Sequence, residues 1–238
     1  KIHQSCTNWP RTFAFLKKQE FLAKVDDLLA RNSSTSTPKK KNILAIGAHP
    51  DDVEIGCGGI LLKHRNLNDN INILTLSGGE QGGEVGIRAR EAKSASMMLG
   101  AELFLKELKD TEISSNGSTI AIIQSVIEIV RPDIVYTHSI NDNHQDHRNT
   151  HLASIVACRG IPQLECYQSP SSTIEFRPSR YVDITDEMEE KVGLVASYAS
   201  QWDKCQYLNE SLIESTAEYW GRFAGYRKVE PLEVIRCE

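Results

Sequence analysis

The sequence predicts an α/β fold, a mostly parallel sheet with helices on both faces. Two observations predict it. Short apolar runs alternate with longer segments of helical periodicity from Asn42 to about Tyr198. The runs ILAIG (43–47) and IVYT (134–137) are apolar without alternation, the pattern of parallel strands buried on both faces. In such sheets ligands sit in the crevice beyond the carboxyl ends of the strands. The segments 48–54 and 138–148 are therefore where chemistry is expected.

Taken in order, residues 11–31 carry Phe13, Leu16, Phe21, Val25, Leu28 and Leu29 at helical spacing. NSSTSTPKKK (32–41) follows, a polar, proline-broken linker whose lysines read as solvated. The chain thus divides into an extension and linker, 1–41, and a domain, 42–238. Within the domain the pattern gives strands at 43–47, 71–76, 102–106, 134–137, 164–167 and 181–184. It gives helices at 55–65, 87–99 (stopped by Gly100), 118–130 (ended before Pro132), 148–158 and 186–198.

With 40% hydrophobic and 25% charged residues over 238 positions, the chain can bury a substantial core without staples. A formal charge of −5 argues against nucleic acid as a partner, since that needs a basic surface. No apolar run reaches the length of a membrane span, and no signal-peptide pattern opens the chain. The start at Lys1 reads as a point inside a longer or processed protein. Six scattered cysteines without a C-x-x-C pair read as free, buried thiols in a cytoplasmic protein. The N-terminal helix leaves docking, a homo-oligomer or continuation into a further domain open.

The first chemical segment is A48-H49-P50-D51-D52-V53-E54. A histidine and three carboxylates fall within six residues at a strand end, and Pro50 restricts the turn. Read alone, it is equally a polar turn in which Asp52 caps the next helix. The second is T137-H138-S139-I140-N141-D142-N143-H144-Q145-D146-H147-R148. It concentrates three of the seven histidines after another strand of the same sheet. His144 and His147, three apart, share a face on a helical turn. Two histidines and a carboxylate suit a catalytic zinc, which keeps a position open for water. A second carboxylate beside it can take a proton. Phosphate-loop, dinucleotide, H-E-x-x-H and G-x-S-x-G motifs are absent. Gly56, Gly58 and Gly59 read as points of close helix–sheet approach. Trp202, Tyr219 and Trp220 are candidates for a sugar subsite, with core burial the plainer account.

H49-P50-D51-D52-x-E54 followed by H144-x-D146-H147 resembles the PIG-L/LmbE family of zinc-dependent N-deacetylases. S77-G78-G79-E80, R88-A89-R90-E91-A92 and Y198-A199-S200-Q201 look like its weaker motifs. The resemblance spans about 42–200 and implies an LmbE-like, Rossmann-like fold. It implies hydrolysis of an acetamide on an amino-sugar conjugate with one Zn2+ per chain. His49, Asp52 and His147 would be the metal ligands and Asp51 the general base. His144, oriented by Asp146, would stabilise the oxyanion and protonate the leaving amine. Arg88 and Asp142 would hold substrate, and Glu54 would support the site. Val53 separates Glu54 from the aspartate pair, and Gln145 replaces the usual proline. Other readings of the same residues are a zinc amidase for another N-acyl or thiol-conjugate substrate, or a metal- or sugar-binding module.

Overall fold

The computed structural model describes residues 39–202, 204 and 208–237. The expected helix over 11–31 and most of the linker lie outside these residues. The first described strand, β1 (Asn42–Gly47), is buried along nearly its whole length. With β2 (Asn70–Ser77), β3 (Glu102–Leu108), β4 (Ile134–His138), β5 (Gln163–Tyr167), β6 (Arg180–Asp183) and β7 (Val229–Arg236) it forms one sheet in the order β3-β2-β1-β4-β5-β7-β6. The first five strands run parallel, and β7 pairs antiparallel with both β5 and β6. The order reverses between β1 and β4, so a crevice opens beyond their carboxyl ends.

Helices cover both faces because the buried strands are apolar on both. On one face lie α1 (Asp52–Asn66), α2 (Val85–Leu99), α5 (Met188–Ala196) and α7 (Glu210–Ala224), packed around Ile43, Ile73, Leu61 and Leu194. A short turn, α6 (Ala199–Trp202), follows α5. On the other face lie α3 (Gly117–Val130) and α4 (Gln145–Ala157), around Leu44, Ile46, Leu74 and Val126. Among the described residues Cys57, Cys158 and Cys166 are buried free thiols and Cys237 is an exposed one. No helix among the described residues is long and apolar enough to cross a membrane.

α1 is two helical segments joined at a kink, where Cys57 has φ −141°. The kink releases backbone donors inside the protein, and they need an acceptor. Glu230 of β7 supplies it, accepting from Gly59 N–H at 2.8 Å and Ile60 N–H at 2.7 Å. The glycines serve packing as the sequence suggested. A Cβ at Gly56 would overlap the Tyr167 ring, and one at Gly59 would lie 2.9 Å from Ile184.

Three elements, the short α6 and the longer α7 and β7, escape the sequence reading. β7 (VEPLEVIR) carries Pro231 and two glutamates, which disguise a central strand. Glu230 points inward because α1 offers it two N–H groups and Lys191 a counter-charge at 2.6 Å. Helix starts also move: α1 begins at Asp52 and α4 at Gln145, each three residues before the expected position.

The Gly56–Tyr167 contact is testable. Gly56→Ala should lower stability to urea by about 1–3 kcal/mol, the usual cost of overpacking. Gly193→Ala, in α5 with nothing within 4 Å of the added carbon, should be neutral or stabilising. Equal effects from the two variants would contradict the packing account.

Candidate active site

After β1 the chain turns sharply through Ala48–Asp51. Asp51 takes a left-handed conformation (φ 96°), a costly state for a non-glycine residue that the surroundings must enforce. Two contacts do so. His49 N–H donates to Asp52 Oδ2 at 2.7 Å. Arg88 Nη2, reaching in from α2, donates to Pro50 O at 2.6 Å and lies 3.5 Å from Asp51 Oδ1. Gly79 (φ +66°) makes room for Arg88, since a Cβ there would sit 2.7 Å from Nε.

On the β4 side, His138 ends the strand and His144 caps α4. His144 Nδ1 accepts from Asp146 N–H at 3.2 Å. That bond requires a lone pair on Nδ1, so the neutral ring carries its proton on Nε2. His147, one turn further, stacks on His144 (centroids 4.5 Å, 17°) and on His138 (3.9 Å, 15°).

Asp52 joins the two sides. Its Oδ1 lies 3.3 Å from His147 Nε2, and its Oδ2 lies 3.4 Å from His49 Nδ1 and 3.1 Å from His138 Nε2. The outer nitrogens of both expected histidine ligands are held by carboxylates. His49 Nε2 meets Asp110 at 3.0 Å and Asp146 at 3.2 Å, and His147 Nδ1 meets Asp142 at 3.0 Å. Carboxylates behind imidazoles that converge on a common point fix ring orientation as metal sites require. The donor atoms of His49, His144 and His147 lie within 4.8 Å of one another, as do those of Asp52, His138 and His147. The residues present therefore fit a divalent cation beside Asp52, with His147 common to both trios.

Charge is tightly balanced here. Burial lowers His147's basicity, but Asp52 and Asp142 outweigh it and raise its pKa to about 9. His49 is likewise raised against burial, by Asp110, Asp146 and Asp52. Asp52 resists burial and stays well below the ordinary carboxylate value beside His147 and His138. Burial pushes Asp51 up to about 8, opposed by Arg88 and reinforced by Asp52 and Glu54. Burial, His147 and His49 hold His144 below its usual value, so it is neutral at pH 7.

One cavity of about 310 Å³ brings most of the expected residues together: His49, Asp51, Asp52, Arg88, His144 and His147 line it. The contacts of three expected residues add detail to their expected roles. The Asp146 carboxylate meets His49 and Thr111 N–H (2.7 Å), and only its backbone reaches His144. Asp142 is buried behind His147, held also by Ser169 and Ser171, and is placed to orient an imidazole rather than to touch substrate. Arg88 reaches the cavity but its guanidinium clamps the Pro50–Asp51 turn. Glu54 is buried beside Tyr198, with its pKa raised by burial to about 7. Trp202, Tyr219 and Trp220 do not line the cavity.

Asp110, Thr111, Ser171 and Gln201 line it and were missed as site residues. Asp110 and Thr111 follow β3 directly, so the rule that singled out 48–54 and 138–148 could have found them. The glutamates of the weaker motifs serve as scaffolding. Glu80 accepts from Asp110 N–H at 2.8 Å, and Glu91 accepts from both Ser200 N–H and Oγ at 2.7 Å.

A polar cavity at the switch point of a parallel sheet, with converging imidazoles and carboxylates, is suited to metal-assisted chemistry. Residues 44–158 match the PIG-L family, described as GlcNAc-PI de-N-acetylase. An uncharacterized deacetylase of Escherichia coli (strain K12), YaiS, is 35% identical over 174 residues, 68% of this chain and 92% of that protein. The chain belongs to the PIG-L family and is an amide-hydrolysing deacetylase. A diacetylchitobiose deacetylase of Thermococcus kodakarensis is 28% identical, covering 82% of this chain and 83% of its own length. The fold alone does not choose the reaction. The crystal structure of a 4-carboxy-2-hydroxymuconate hydratase from Pseudomonas putida superposes with a TM-score of 0.73 at 21% identity, covering 83% of this chain and 97% of that one.

The charge balance predicts how the metal-stripped protein responds to pH. His147's contribution is full below its unfolded value of about 6.5 and is lost as pH rises through about 9. Asp51, raised to about 8, adds a penalty that grows over the same range up to that value. The thermal midpoint of metal-free protein should therefore fall between pH 6.5 and 9, and a flat midpoint would contradict the assignment.

Proposed function

We propose that the protein removes the acetyl group from an N-acetylated amino sugar, with zinc held by His49, Asp52 and His147. The observation that carries this reading is the pair flanking the donor set in one cavity: Asp51 on one element and His144, with its proton on Nε2, on another. Binding alone needs no base beside an acid. The relative named for diacetylchitobiose supports an amino-sugar substrate. Two imidazoles and one carboxylate are a common ligand set for catalytic zinc. When bound, such an ion supplies Lewis-acid polarisation and a lowered pKa for water.

The chain's own residues divide the remaining work. Asp51, fixed by its strained backbone and by Arg88, takes a proton from the attacking water. His144 Nε2–H donates to the oxygen on which negative charge develops. As the C–N bond breaks, the proton that Asp51 took from water passes to the leaving nitrogen, while His144 keeps its Nε2–H on the oxygen. Acetate and a free amine result. Asp142 holds His147, and Asp110 with Asp146 hold His49, so neither ring turns during the cycle.

Asp51→Asn should abolish acetate release while keeping stoichiometric zinc. His144→Ala should lose about 10²–10³ in kcat, the usual cost of one oxyanion donor. His49→Ala should lose metal and activity together. Full activity of zinc-loaded Asp51→Asn would overturn the base assignment.

A further inference from the structure

Of the three histidines in 138–148, the proposed chemistry uses His144 and His147 and leaves His138, the last residue of β4, without a task. His138 is fully buried and does not line the catalytic cavity, whereas His49, Asp52, His144 and His147 do. It stands behind Asp52. Its Nε2 lies 3.1 Å from Asp52 Oδ2, and its ring stacks on His147 with centroids 3.9 Å apart and planes 15° apart. Tyr167 packs against the same ring at 4.9 Å, and His151 Nδ1 donates to the His138 carbonyl at 2.8 Å. Side chain and backbone are both held.

The outer nitrogens set this ring apart from the expected metal ligands. Those of His49 and His147 face carboxylates. His138 Nδ1 is buried without a hydrogen-bond partner among the described residues. Burial and the neighbouring His147 lower the His138 pKa to about 4, so at pH 7 the ring carries one proton. On Nδ1 that proton would be a buried donor with no acceptor. On Nε2 it meets a carboxylate, and a charged acceptor makes the stronger bond. Ala48 N–H also lies 3.1 Å from Nε2 and would suit the opposite tautomer. That tautomer, however, sets a lone pair against Asp52 and strands the Nδ1 proton.

Asp52 Oδ2 then accepts from His138 Nε2–H and from His49 N–H at 2.7 Å, which uses both of its lone pairs. Oδ1 meanwhile faces His147 Nε2 at 3.3 Å, the nitrogen expected to bind the cation. We infer that His138 is a positioning residue: it fixes the Asp52 carboxylate so that Oδ1 is the atom offered to the metal, and its ring face holds His147 beside that atom. The inference rests on the metal-site reading and adds to it a residue that touches neither metal nor substrate.

The test compares zinc affinity in two variants. The amide N–H of His138→Gln can reach Asp52 Oδ2, whereas His138→Leu fills the space without a donor. Each is titrated with zinc against a chromophoric chelator after circular dichroism confirms folding. His138→Leu should bind zinc about 10–100-fold more weakly, the usual cost of losing a partner behind a ligand, and His138→Gln should recover most of that loss. Equal weakening in both variants would reduce the role to packing and overturn the inference, as would unchanged affinity in His138→Leu. A second measurement needs no variant to fold. Long-range proton–nitrogen spectra of the zinc-loaded wild type should show His138 protonated on Nε2 and bare on Nδ1. A proton on Nδ1, or a nitrogen shift typical of direct metal ligation at His138, would overturn the inference. A wild type that takes up no zinc would overturn the metal-site reading itself, and this inference with it.

Discussion

The Asp52 carboxylate is the constraint on which the rest of the site depends. It accepts from the backbone of His49 and so closes the turn after β1. The same group meets His138 at the end of β4 and His147 on α4. One side chain thus ties together the two strand ends between which the sheet reverses order. The parallel sheet creates the crevice, and Asp52 makes its two walls a single site. The strain at Asp51 falls in this same turn, directly before Asp52.

Around that centre the structure arranges successive layers of charge. Imidazoles of His49 and His147 face Asp52, and carboxylates of Asp110, Asp142 and Asp146 stand behind them. In the absence of a cation, protons on His49 and His147 balance these carboxylates, which is why both are raised against burial. A divalent ion meets the same demand for positive charge. His144 is the exception. Its Nδ1 accepts a backbone N–H rather than facing a carboxylate, and burial with His147 and His49 holds it below its usual value, so its proton sits on Nε2. Two histidines three residues apart on one helix therefore acquire opposite protonation habits from what stands behind each ring.

Much of this was legible in the sequence, for a physical reason. Buried parallel strands are continuous apolar runs, and chemistry sits at their carboxyl ends, so the segments 48–54 and 138–148 could be located without a structure. The partners behind the rings were not legible. Asp146 lies next to His147 in sequence yet serves His49, 97 residues away, because α4 directs its carboxylate across the crevice. The family resemblance implied that Asp142 holds substrate, but the loop after β5 folds over it. Asp110 stands outside those two segments and reaches the site only through the end of β3. The last strand was hidden by polar residues whose partners are distant: Glu230 is buried only because a kink in α1 gives it donors.

The central claim is that the converging side chains around Asp52 act with a bound metal to cleave an acetamide. Acetate release from N-acetylglucosamine glycosides by chelator-stripped protein, measured before and after reloading with one equivalent of zinc, tests it most directly. The account predicts no release from the stripped protein and recovery that saturates at one zinc per chain. Undiminished release from protein shown to be metal-free would contradict it.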